Sequence, residues 1–206
     1  MVKQLPQKPH LLKIIPPLEN SIVIKGDNIA WNNPWHYHPE VELLYCIKGK
    51  GTNFIGNSIR KIEEGEILLL GKNLPHTRQR DRAYYEANIV EQPESIVIQF
   101  REDFLGNEFF MLKEFIHVRS LLQRAKVGLK FIGKTQLVVA QKLEMLKRVN
   151  PTSAILELLS ILDTLARSEE YIELNALNYE SDVHERASQK INKVYHYTIE
   201  HFREPI

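Results

Sequence analysis

His36, His38, Glu42 and His76 are the residues of this sequence with the clearest chemical potential. The first three are spaced His-x-His-x-x-x-Glu, so all sit at even positions. Side chains alternate faces along a strand, and one strand over 35–47 would aim the three the same way. A second strand starting at His76 would bring a third imidazole across a sheet. Two or three imidazoles and a carboxylate offer the nitrogen and oxygen donors that Zn, Ni, Fe or Mn accept. The same four groups would also serve as the hydrogen-bonded floor of a polar pocket, so the spacing leaves both readings open.

Other residues share that face by the same count. Arg78 and Arg80 have the parity of His76, and their guanidinium forks would grip a carboxylate or phosphate on an effector. A solvated strand rim is the plainer alternative for both. Cys46 shares the parity of Glu42 and is expected in the pocket, either as a soft ligand or as a small buried apolar group. Trp35 precedes His36 and is expected as a pocket wall, although it would serve in core packing equally well.

These residues need strands to position them, and the first half of the chain supplies them. Ile22–Lys25, 35–47, Thr52–Ile55, Ser58–Ile62, Ile67–Leu70, His76–Arg80 and Ser95–Phe100 are short apolar or alternating runs. Turn signals at Gly49-Lys50-Gly51, Gly56-Asn57, Glu64-Gly65 and 71–75 divide them. Near Asp103 the period becomes helical. A first helix is predicted from Phe109 to Leu122, a second after Gly133, and a third from Pro151, with Asn150-Pro151 as the break between the last two. Leu143 and Leu146 on the second, and Ile155, Leu158, Leu159, Leu162 and Leu165 on the third, form apolar stripes. The pair reads as an αα-hairpin whose stripes serve either packing on the sheet or a self-complementary dimer surface. Residues 171–184 read as a linker, and a last amphipathic helix follows within 185–206.

Bulk properties limit the function. The chain has 206 residues, a net charge of +1 and one cysteine. A near-neutral balance gives no general attraction to DNA or membranes, so DNA binding needs a local element. A lone cysteine suits a cytoplasmic protein. No apolar run approaches the ~20 residues of a membrane span, so no membrane partner is expected.

The motif residues resemble those of the cupin superfamily. His36-x-His38-x-x-x-Glu42 followed by Gly49 is similar to its first motif, and Gly65 followed by Pro75-His76 to its second. The chain departs from the pattern at Ala30, Gly71, Asn73 and Arg80, while all four ligand positions are kept. The order of parts resembles an AraC/XylS-type transcriptional regulator, with 191–206 similar to the first helix of its DNA-binding domain. The resemblance implies a mainly β, then α fold: a cupin-like double-stranded β-helix barrel over 1–102, a helical dimerisation segment over 103–170, the linker 171–184, and over 185–206 the first helix of a truncated helix-turn-helix domain. It further implies a homodimer that senses a small-molecule effector, a sugar or an anionic metabolite, and that contacts DNA only through the C-terminal domain. The competing expectation is a metal-dependent cupin enzyme, a dioxygenase or sugar isomerase, with His36, His38, Glu42 and His76 as ligands. The helical third of the chain favours the regulator, since an enzyme of that kind does not need it.

Overall fold

The computed structural model describes residues 34–80 and 93–176, with the strand segments His10–Leu11 and Ile22–Lys25. Its strands are β1 (His10–Leu11), β2 (Ile22–Lys25), β3 (His36–Tyr37), β4 (Val41–Lys48), β5 (Gly51–Ile55), β6 (Ser58–Lys61), β7 (Ile67–Leu70), β8 (His76–Arg80), β9 (Glu94–Phe100), β10 (Leu129–Phe131) and β11 (Tyr171–Glu173). Its helices are α1 (Ile116–Arg124), α2 (Gly133–Leu146) and α3 (Pro151–Arg167).

Two sheets face each other. The first runs β1-β3-β8-β5-β6 and the second β11-β10-β7-β4-β9-β2. All pairs are antiparallel except β1 with β3. This is the expected cupin-like β unit followed by helices. Strand parity divides the second sheet between two surroundings. Val41, Leu43, Ile67, Leu69, Ile96, Ile98 and Phe100 join one core with α1, α2 and α3. Leu44, Leu68, Leu70 and Val97 point the other way and meet Ile55 of the first sheet. At β7 the second sheet is therefore apolar on both faces, which explains the unbroken run Ile67–Leu70, buried throughout.

The expected strand over 35–47 is two strands. It breaks at 38–40, so His36 lies on β3 in the first sheet and Glu42 on β4 in the second. The two side chains still converge, because the inner faces of both sheets look into the same space. Two further corrections concern the helical segment and the linker. Residues 103–170 are not wholly helical, since β10 pairs with the free edge of β7. Residues 171–173 are β11, paired with β10, rather than linker. Three-residue strands are too short for a visible period, and pairing with an existing edge is what selects them. The first helix begins later than Phe109: two 3₁₀ turns precede α1, where Phe109, Phe110 and Phe115 stack edge to face.

The break between α2 and α3 falls at the predicted place. The Asn150 side chain accepts from the Ser153 backbone N–H at 3.0 Å, with Pro151 in the first turn. The N-terminus of α2 is capped from a distance, by the Glu170 carboxylate accepting from the Thr135 N–H at 2.8 Å. That bond holds the Glu170 carboxyl below its ordinary range. Leu143, Leu146, Leu158, Leu162 and Leu165 are buried in this chain's own core. They cannot also form a dimer surface, which corrects that assignment. Ile155 is partly exposed, and Leu159 packs at the core's margin. The exposed apolar residues of the hairpin are instead Leu137, Val138, Met145, Val149 and Leu156. The expected last helix and the linker beyond residue 176 lie outside the described residues.

Candidate functional site

His36, His38 and His76 meet between the sheets, with one ring nitrogen from each lying within 4.8 Å of the other two. His36 on β3 and His76 on β8 are direct cross-strand partners. His38 follows at the break in the chain. All three residues are buried. Their ring centroids lie 4.4 to 5.7 Å apart.

Each ring is held by the same device. The Nδ1 atoms of His36, His38 and His76 lie 2.7, 3.1 and 2.8 Å from the carbonyl oxygens of Pro34, Glu40 and Leu74. A carbonyl only accepts, so each Nδ1 carries the proton and donates. In the neutral ring each Nε2 then presents a lone pair. This is the arrangement that orients imidazoles toward a metal. The Nε2 of His76 is buried and has no hydrogen-bond partner.

Glu42 stands beside the trio. Its Oε2 is 3.2 Å from His38 Nε2 and 3.7 Å from His76 Nε2, and it accepts from Gln99 Nε2 at 2.7 Å. With Nδ1 already donating, His38 Nε2 and the Glu42 carboxylate are two acceptors in contact. Such a pair is favourable only around a positive centre, a proton or a metal ion. The cluster therefore fits a cation on its donor chemistry. Burial opposes ionisation of Glu42, but the neighbouring His76 and His38 outweigh it and hold its carboxyl well below the usual range. Burial, with His76 next to it, pulls the His36 imidazole down to about 4, so this ring is neutral near pH 7.

The loop between β7 and β8 carries His76 and shows why two departures from the motif are tolerated. Gly71 donates to the Ala125 carbonyl at 2.7 Å, and a Cβ there would lie 2.7 Å from Ala125 backbone atoms. The loop thus crosses the end of α1 where only glycine passes. Asn73 takes φ +60° and its N–H donates to the His38 carbonyl at 2.8 Å. Asparagine visits this left-handed region more readily than most residues do, so it stands in for glycine.

A second polar layer lies further along the interior. Arg78 on β8 donates to the Ser95 hydroxyl of β9 at 3.4 Å; burial pulls its guanidinium below the ordinary value, while Glu42 and Glu66 favour its charge. Asn53 donates to Glu66 at 2.7 Å. Burial raises the Glu66 carboxyl against Lys130, whose ammonium lies 3.7 Å away. The apolar residues Leu44, Leu68 and Val97 separate this layer from the histidines by strand register.

The structure sorts the remaining pocket residues. Arg78 and Cys46 face the interior. Arg80, at the end of β8, is partly buried. Trp35 packs on Phe54, on the opposite face of the first sheet from Asn53 and Ile55, so it is not a wall of this space. Its odd position, one residue before His36, was the signal for that. Gln99, Asn53, Glu66 and Ser95 are site residues not found from the sequence. Gln99 was the detectable one, a lone amide in the run Ile96–Phe100 and opposite Glu42 in register.

Cys46 is fully buried and burial pushes its thiol up to about 12. Against an ordinary value near 9, its thiolate fraction at pH 8 falls about 1000-fold, and the thiolate is the reactive species. Ellman's reagent is therefore expected to leave Cys46 unmodified in the native protein over an hour at pH 8, and to titrate one thiol once guanidinium is added. Rapid native reaction would show that this strand opens.

A family model described as the AraC-like ligand binding domain matches residues 20–174, well over half of the chain. No curated protein matches. Among solved structures, the AraC-like transcriptional activator CuxR is similar at a TM-score of 0.43 and 6% identity, over 78% of this chain and 50% of CuxR. ToxT from Vibrio cholerae is similar at 0.45 and 15%, over 91% of this chain and 68% of ToxT. The DMSP lyase DddQ from Ruegeria pomeroyi is similar at 0.27 and 18%, over 40% of this chain and 36% of the lyase. The chain thus spans half the length of CuxR. No helix among the described residues is long and apolar enough to cross a membrane. The family match covers every strand but β1 and all three helices: the chain belongs to the AraC-like ligand binding domain family and is an effector-sensing regulatory domain.

Proposed function

We infer that the space between the two sheets binds a small-molecule effector on a divalent metal held by His36, His38 and His76, with Glu42 completing the donor set. The observation that carries this reading is the shared tethering of three Nδ1–H groups to backbone carbonyls, which leaves three Nε2 lone pairs facing one point, with the Glu42 carboxylate beside two of them. The bound metal would supply a Lewis-acidic anchor for an oxygen of the effector. Arg78 adds a second positive group on the same interior wall, so an anionic metabolite is favoured over a neutral sugar. Zinc, nickel, iron and manganese all suit this donor set.

Sensing without turnover is the proposed role, supported by the family match rather than by the donors, which an enzyme could share. DNA contact belongs to a helix-turn-helix domain C-terminal to the barrel. A homodimer forms through the exposed apolar side chains of α2 and α3, inside the cytoplasm, where a free Cys46 is at home. Effector binding shifts the regulator only as far as its affinity differs between the DNA-bound and free arrangements.

Native mass spectrometry with elemental analysis tests this reading directly. A dimer carrying one metal per chain is expected, with a co-purified small acid where the effector survives isolation. A monomer that takes up no Zn²⁺, Ni²⁺, Fe²⁺ or Mn²⁺ on reconstitution would remove it.

A further inference from the structure

Leu174 and Asn175 follow β11 and are the last buried residues before the chain continues past residue 176. Leu174 is 6% exposed and packs in the interior apolar cluster with Leu44, Ile55, Leu68, Leu70, Leu74 and Val97. The other six belong to barrel strands or to the loop before β8. Leu174 alone comes from the exit of the domain. Its N–H donates to the Gly128 carbonyl at 2.9 Å.

Asn175 then makes three bonds. Its N–H and Nδ2 both donate to the Val127 carbonyl, at 3.1 and 2.9 Å. Its Oδ1 accepts from the Asn57 N–H in the β5–β6 turn at 2.8 Å. The turn is shaped for this contact: Gly56 has φ +56°, and a Cβ there would stand 2.6 Å from Asn175 Oδ1. Gly56 in turn donates to the Pro75 carbonyl at 2.8 Å, one residue before His76. The Leu74 carbonyl orients the His76 ring, while the Leu74 side chain shares the apolar cluster with Leu174. Asn73 completes the path with its bond to the His38 carbonyl.

We propose that Leu174–Asn175 is a latch that couples the contents of the barrel to the chain leaving the domain. This rests on the interior being the effector site and adds how that site is read out. Two routes reach the latch from inside, one through Leu74 and Leu174, the other through Pro75, Gly56, Asn57 and Asn175. Fixing the loop around His76 favours the closed latch. Opening the latch frees that loop, and thermodynamic linkage makes the two effects reciprocal. The latch directly follows β11, an edge strand of three residues paired on one side only, which places it beside a part of the fold that opens at low cost.

Hydrogen exchange followed residue by residue on the intact chain tests this. Asn175→Ala is expected to speed exchange about tenfold or more at Asn57, and also at Gly56 and Asn73, whose bonds tie down the loop before His76. Amides of α2, α3 and the centre of β4 stay as in the wild type. Acceleration confined to 174–176 and Asn57 would overturn the coupling. If Asn175→Ala loosens α2 and α3 as well, Leu174→Ala gives the same reading from the apolar route. ZnCl₂ supplies the reciprocal arm. In the wild type it is expected to slow exchange at 56–57 and 171–176. In Asn175→Ala it still protects 34–42 and 73–78 but no longer the exit. Zinc uptake without protection of the exit in the wild type also overturns the latch. No zinc uptake by either protein removes the metal reading of the site, and the variant arm then decides the latch by itself.

Discussion

Replacing His76 by Ala is expected to lower divalent-metal affinity by roughly 100-fold or more, with the fold retained. Loss of a group that merely orients a ligand already costs about 10- to 100-fold, and loss of the ligand itself exceeds that. His76 is the most telling of the three histidines, because its Nε2 is buried without a hydrogen-bond partner. A buried polar atom left this way costs about 1–3 kcal/mol, and a bound cation would remove that cost. Gln99→Ala gives the graded comparison. Gln99 donates to the Glu42 carboxylate, at 2.7 Å, so its loss should weaken binding by about tenfold. His36→Ala should match His76→Ala. Competition titration against a chelating dye, with wild type and the three variants side by side, measures this. Equal affinity for wild type and His76→Ala would show that metal binds elsewhere or not at all.

The histidine cluster was legible in the sequence, but partly for the wrong reason. Parity along one strand from 35 to 47 placed His36 and Glu42 together. The chain in fact changes sheets at Pro39-Glu40, and the two residues meet because both inner faces share one interior. A twofold period cannot show such a change, since the alternation resumes on the far side of the break. His76 and Arg78 were visible because β8 is regular and pairs residue for residue with β5. Gln99, Asn53 and Glu66 were harder to see. Each is a polar residue whose importance lies in a partner on another segment of the chain, and such partners depend on long-range pairing. The strands β10 and β11 escaped for a related reason: they take their hydrogen bonds from an edge already built, not from any pattern of their own.

The apolar stripes of the hairpin show a similar limit, and here the consequence is the second large effect. Periodicity reports that a helix has an apolar face but not what covers it. Leu158→Ala is expected to destabilise the fold by about 3 kcal/mol, in the range for a buried leucine whose removal leaves a cavity. At about 2–4 °C per kcal/mol for a chain of this size, the melting midpoint falls by about 6–12 °C. The molecular mass in solution should not change, because Leu158 lies wholly inside the core shared with the second sheet. The paired variant Met145→Glu with Leu156→Glu should do the opposite. Both side chains are mostly solvent-exposed, at 58% and 63%, so the charges cost the isolated fold little, about 0.5 kcal/mol each at most. In a dimer that covers them, two carboxylates per chain would be buried without partners, a cost of several kcal/mol. Sedimentation equilibrium at tens of micromolar, read beside thermal melts, separates the two. A mass that drops for Leu158→Ala but holds for the paired variant would return the interface to the buried stripe and sink the assignment made from exposure.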